Sequence, residues 1–120
     1  MKEIHFICPN RILLTLIERP DDAKGSWVYE SGNWDLRPDE PDLLVGGIIC
    51  LHQTKAKPSY FGGRIDSYHE IEERGRLGNK VVFRFTASAS AKDIKWRGIG
   101  YARASTGGVV DMSEAEPSLQ

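Results

Sequence analysis

The sequence predicts an α+β domain dominated by a bent sheet or open barrel, with one or two short helices. Three observations carry this reading. Residues 80–86 (KVVFRFT) alternate, Val81, Phe83 and Phe85 pointing one way and Val82 and Arg84 the other, which is the period of a strand with one buried face. Residues 46–51 form an apolar run opened by Gly46 and Gly47, as expected of a central strand. A second glycine pair, Gly62 and Gly63, opens residues 62–68, where Ile65 alternates with Arg64 and Asp66. A chain of 120 residues built this way closes its core and hides its edge strands most readily by bending the sheet.

The remaining elements follow in order. Residues 4–8 are apolar and β-prone, and Pro9 ends them as a strand. Asn10 can cap a helix, and Ile12, Leu13, Leu16 and Ile17 sit at helical spacing, which predicts a short amphipathic helix before Pro20. The same residues also read as a strand, Thr15 and the isoleucines being β-branched. Trp27, Val28 and Tyr29 form a short strand, and Ser31, Gly32 and Asn33 have the composition of a turn. Between Glu18 and Asp42 eight acidic residues face three basic ones, and Pro20, Pro38 and Pro41 favour irregular connections. Asp42 or a neighbour caps a single turn holding Leu43 and Leu44.

Residues 70–76, interrupted by Gly75 and followed by Gly78, are expected to fray into a turn. Residues 87–91 (ASASA) read as a loop and residues 94–101 as another strand. The domain is thus expected to span residues 1–104, with 105–120 a flexible tail poor in large apolar groups.

Composition limits function. With 40% hydrophobic and 28% charged residues, net charge −1 and a pI near 6.3, the chain reads as one soluble domain and not as a generally basic nucleic-acid binder. No apolar run approaches the roughly 20 residues needed to cross a bilayer. Met-Lys-Glu is not followed by the apolar core of an export signal, so a cytoplasmic location is expected. Cys8 and Cys50, each in an apolar run, read as buried free thiols. No Cys-x-x-Cys or His-x-x-x-His pair supports zinc binding by His5, Cys8, Cys50, His52 and His69, and neither metal nor cofactor is expected. The pairs His5/Cys8 and Cys50/His52 nevertheless merit examination as metal ligands, because both lie on expected strands.

No nucleophile elbow, phosphate loop or zinc-protease motif is present. Chemistry concentrates instead in residues 52–64. His52, Lys55, Lys57, Tyr60 and Arg64 supply cationic donors, a hydroxyl and an aromatic face, and no Asp or Glu occurs from Leu43 to Ile65. A second basic cluster comprises Arg84, Lys92, Lys95, Arg97 and Arg103. Trp27 and Trp34 flank a segment rich in hydrogen-bonding groups, Ser31 and Asn33 among them, and Trp96 lies between Lys95 and Arg97. A tryptophan projecting from a polar loop could stack on a base, an interaction contributing about 1–3 kcal/mol.

The order of these features resembles the PUA-like superfamily, particularly its EVE, ASCH and YTH branches. An apolar strand ending in Cys8-Pro9 leads to the segment from Trp27 to Trp34. Then come LLVGG (residues 43–47) with an apolar strand, a Lys-bearing loop, FGGRI (61–65), residues 80–85 and Trp96. The resemblance implies a barrel-like bent sheet with a cleft for nucleic acid, often for a modified base. It would place Trp27, Asn33, Trp34 and the loop from His52 to Lys57 along that cleft.

The resulting expectation is a small module binding RNA or DNA and reading a modified or flipped base. Trp27 and Trp34 would stack, Ser31 and Asn33 would read a base edge, and Lys55, Lys57 and Arg64 would hold phosphates. The alternatives are a small enzyme acting on nucleotides or nucleic acid with His52 as acid/base, and a protein-interaction or regulatory module.

Overall fold

A computed structural model describes residues 2–11, 13–20, 26–96 and 106–111, the last segment by its backbone. The described chain forms strands β1 (Lys2–Ile7), β2 (Leu14–Glu18) and β3 (Val28–Trp34), helix α1 (Glu40–Leu44), then β4 (Ile48–His52), β5 (Phe61–Arg74), β6 (Asn79–Ala87) and β7 (Thr106–Asp111). They make one open mixed sheet in the order β2-β3-β6-β5-β4-β1-β7. The pairing of β1 with β4 is parallel, and every other pairing is antiparallel. The α+β, β-rich class is therefore observed, with one short helix.

The core lies on one face. Ile4 and Phe6 of β1, Ile49 and Leu51 of β4, Ile65 of β5, and Val81, Phe83 and Phe85 of β6 are all buried there, joined by Trp34, Leu36 and Leu44. Trp34 stacks on Phe6 with ring centroids 4.0 Å apart and planes 10° apart. Strands β3 and β1 are four places apart in the sheet, about 19 Å if it were flat. The sheet must therefore curl to bring these rings together.

Several expectations are corrected here. Of the two readings open for residues 11–17, the strand is the one observed, over Leu14–Glu18. The β-branched Thr15 and Ile17 suit an edge strand, and pairing with β3 supplies backbone hydrogen bonds that so short a helix could not. Ser31, Gly32 and Asn33 are not a turn but part of β3, where a side chain on Gly32 would press into Val82 on β6 at 2.7 Å. Strand β5 continues to Arg74 instead of fraying at 70, because β6 pairs with it as far as Arg74 and Asn79 across two irregularities in register. The expected single turn at Leu43 and Leu44 is present but begins at Glu40, with Asp39 at the N-cap position. Thr106–Asp111, expected in a flexible tail, is a strand pairing antiparallel with the outer edge of β1. The strand expected over 94–101 is irregular at 94–96, and its remainder lies outside the described residues.

The second face of the sheet positions the candidate site. Side chains alternate across a strand, so Glu3 and His5 of β1 and Ile48, Cys50 and His52 of β4 project away from the core. After β6 the chain crosses this face as a strap, residues 88–96. It touches down on β5, where the Ser88 N–H donates to the Gly62 carbonyl at 3.1 Å. Gly62 must lack a side chain: a Cβ there would collide with the Ile49 carbonyl oxygen and meet the Ala91 methyl at 3.0 Å. No helix among the described residues is long and apolar enough to cross a membrane. Cys8 and Cys50 are both buried, and no disulfide joins them.

Candidate functional site

Three ionisable side chains lie buried in a row beneath the end of the strap. Parallel pairing sets Ile7 opposite His52 and His5 opposite Cys50, so the two imidazoles are diagonal neighbours on the same face. His5 Nδ1 is 2.7 Å from His52 Nε2, and His5 Nε2 is 2.5 Å from Glu3 Oε2. His52 Nδ1 donates to the Lys57 carbonyl at 2.8 Å. Both histidines are wholly buried and Glu3 nearly so. All four ring nitrogens have a polar partner, which fixes both ring orientations, since a flipped ring would put carbon in a contact. Burial holds the His52 imidazole below its ordinary pKa of 6.5. Its hydrogen bond to Lys57 opposes that shift, neighbouring His5 adds to it, and Glu3 opposes it.

The strap is held over this row by Ser59, itself buried. The Ser59 hydroxyl donates to the Ala91 carbonyl (2.6 Å) and accepts from the Ile94 N–H (3.0 Å). The Ser59 backbone N–H donates to the Ile94 carbonyl, and its carbonyl accepts from the Asp93 N–H, both at 2.8 Å. Two residues further on, Trp96 covers the imidazoles, its ring centroid 5.1 Å from that of His52 and 5.8 Å from that of His5. The Lys55 ammonium lies 5.4 Å from the Trp96 centroid.

Around Trp96 the surface is basic. Lys55, Ala56, Lys57, Pro58, Lys95 and Trp96 line a recess of about 260 Å³ without any carboxylate among them. The outer end of the buried row ties directly into it, because the carbonyl that His52 engages belongs to Lys57. Among the described residues, the second basic cluster joins the first through Lys95. Lys92 is exposed elsewhere on the strap, Arg84 is bound to Glu30 through Nε (3.1 Å) and Nη2 (2.8 Å), and Arg97 and Arg103 lie outside the described residues.

Of the residues singled out from the sequence, the structure brings together His52, Lys55, Lys57 and Trp96. Tyr60 is close by but committed: its hydroxyl donates to the Cys8 carbonyl at 2.5 Å, and burial pushes its phenol well above the ordinary value. Trp34 is not available for stacking on a ligand, being 4% exposed within the core, with its indole N–H donating to the Ser31 hydroxyl at 3.1 Å. Ser31 is buried by the same arrangement and cannot read a base edge. Asn33 is exposed, but it faces a different hollow, lined with Leu13, Thr15 and Val82. Trp27 is exposed with the Arg19 guanidinium 5.5 Å from its ring centroid. Arg64 projects beside Asp66 into another recess, with Ser26, Thr86 and Ser88, that shares no lining residue with the lysine recess.

Glu3 and Ser59 were not singled out from the sequence, His5 was weighed only as a metal ligand, and Lys95 only as part of the second basic cluster. The signal of the buried row lay in the pattern: Glu3 and His5 are polar at alternate positions of β1, with Ile4 and Phe6 between and after them, as is His52 at the end of IICLH. The 2.7 Å spacing of the imidazole nitrogens is too short for both to ligate one metal ion. Bonds of about 2.0–2.1 Å at a tetrahedral angle would hold them about 3.3 Å apart. No protein-family model, curated protein or solved structure matches this chain.

Proposed function

We propose that the chain is a cytoplasmic nucleic-acid-binding module that grips single-stranded RNA or DNA at the lysine recess. Lys55, Lys57 and Lys95 hold phosphates and Trp96 supplies the stacking face. The observation carrying this reading is the convergence of three lysines on one half-buried tryptophan with no carboxylate in the lining. Magnitudes favour exchange of partners on that ring. A lysine over an exposed aromatic contributes about 0.5–1 kcal/mol, whereas a stacked base contributes about 1–3 kcal/mol. An arriving base therefore displaces Lys55, which turns to a phosphate. The recess is smaller than the roughly 300–1,000 Å³ of a typical enclosed ligand site, which suits one unstacked nucleotide on a surface track. The PUA-like resemblance belongs to this proposal, supported by the β-rich open sheet with a single short helix. Fold likeness of that kind carries no role by itself.

The test is binding of labelled single-stranded and duplex oligonucleotides, plain and base-modified, at two salt concentrations. The wild type should bind single strands in a salt-sensitive manner. Each lysine changed to alanine should weaken binding and lower the salt slope by about 0.7, and Trp96→Ala should weaken it by about 1–3 kcal/mol. Salt-insensitive binding, or full affinity after Trp96→Ala, would sink the proposal.

A second reading, a small enzyme with His52 as acid/base, is favoured by one observation. His52 has the orienting partners that such a group needs, His5 and behind it Glu3. Because Trp96 covers His52, this reading requires the ring to move aside before substrate is reached. Turnover of a nucleotide or oligonucleotide that disappears in His52→Ala, with binding retained, would favour it over binding alone.

A further inference from the structure

We infer that Glu3, His5 and His52 form a proton-binding site that carries one proton more than a carboxylate and two neutral imidazoles. The inference follows from counting hydrogens along the buried row. Its outer end is a carbonyl, that of Lys57, which can only accept, so the contact with His52 Nδ1 requires a hydrogen on the ring. The 2.7 Å contact between imidazoles requires a second, and the 2.5 Å contact between His5 and Glu3 a third. Two neutral imidazoles supply only two. The third, added to an ionised Glu3, leaves the three side chains together with no net charge.

The third hydrogen can sit on Glu3, on His5 or on His52 without breaking any contact in the row. The lowered affinity of His52 for a proton keeps it toward the Glu3–His5 end. A fourth hydrogen would set two donors against each other. A missing one would leave two acceptors 2.5–2.8 Å apart. The row is therefore filled at one proton count only.

Other ionisable groups among the described residues stand near the row. Lys2 neighbours Glu3 on β1 and is paired in register with Asp111 of β7, and Cys50 stands opposite His5 on β4. From the loop, Lys57 engages His52 through its carbonyl, Lys55 lies beyond the Trp96 ring, and the Tyr60 hydroxyl donates to the Cys8 carbonyl. From the strap, Lys95 lines the recess.

Folding must then take up a proton at mildly alkaline pH. In the unfolded chain Glu titrates near 4.3 and His near 6.5, so the three groups hold on average about one extra proton at pH 6.5, about two near pH 5.4, about three well below pH 4 and about 0.2 at pH 7.5. The contacts of the folded row are satisfied by one. The stability it confers is thus greatest near pH 6.5 and falls on both sides. A domain with this row has its Trp96 seat tuned to near-neutral conditions.

The experiment is proton release on denaturant unfolding, measured by pH-stat at pH 7.5 for the wild type and Glu3→Gln. The amide can donate to His5 Nε2 directly, so the variant keeps every contact without the extra hydrogen. Thiols and the remaining histidine cancel in the difference. The expected result is about 0.8–1 proton more released by the wild type, and equal release overturns the inference. Should Glu3→Gln not fold, wild-type stability against pH decides: a maximum near pH 6.5 supports the shared proton, and a curve still rising at pH 8 refutes it.

Discussion

Ser59→Ala isolates what holds the strap over the buried row. The substitution removes one hydroxyl and with it two hydrogen bonds, to the Ala91 carbonyl and from the Ile94 N–H. A neutral hydrogen bond contributes about 0.5–1.5 kcal/mol net, and a buried group left without a partner costs about 1–3 kcal/mol. Ala91 is fully buried, so its carbonyl bears that cost, whereas half-buried Ile94 can recruit water for its N–H. The expected loss is about 2–4 kcal/mol, a large part of the roughly 5–15 kcal/mol total of a small domain. The two backbone bonds between Ser59 and the strap survive, so the strap should loosen without departing. Urea denaturation measures the total. Hydrogen exchange at Asp93 and Ile94 locates it, and Trp96 fluorescence reports whether the ring still covers the imidazoles. A stability change below about 0.5 kcal/mol, together with unchanged protection at Ile94, would show that Ser59 does not anchor the strap.

Further outcomes follow from the same geometry. Trp34→Ala should cost about 3–5 kcal/mol by emptying the stack on Phe6, and any fall in oligonucleotide binding should track the unfolded fraction; a binding loss in fully folded protein would contradict its place in the core. Because burial lowers the His52 pKa, the unfolded chain binds a proton below pH 6.5 that folded His52 resists, so stability should fall with acidification from that point, at up to about 1.4 kcal/mol per pH unit. Chemical denaturation at pH 5.5 and 6.5, compared with His52→Gln, checks the sign. Gly62→Ala should destabilise by about 1–3 kcal/mol or more, since its methyl would strike β4's backbone beneath the strap; a neutral thermal melt would show that β4 and β5 can part freely.

The parts of the fold legible in the sequence were those whose burial follows strand period. Strands β4 and β6 and the opening of β5 announce themselves because one face packs and the other does not. Strand β3 was hidden because Ser31, Gly32 and Asn33 have turn chemistry, and only the close approach of Val82 explains why a glycine stands mid-strand. Strand β7 was hidden because its two glycines give it little propensity of its own; the free edge of β1 organises it. The basic loop and Trp96 were legible from composition. The row beneath them was not: His5 and His52 stand 47 residues apart and meet only through a parallel register that local pattern does not encode.

That separation gives the parallel β1–β4 pairing a kinetic meaning. Strand β1 has no local partner, since its neighbours are β4 on one side and β7 on the other. Sheets dominated by such distant pairings fold in about milliseconds to seconds. Until β1 docks, the carboxylate and both imidazoles titrate as separate, hydrated groups. The shared proton can arrive only when β1 slots beside β4, so an indicator dye in a stopped-flow refolding experiment would time the insertion of that one strand.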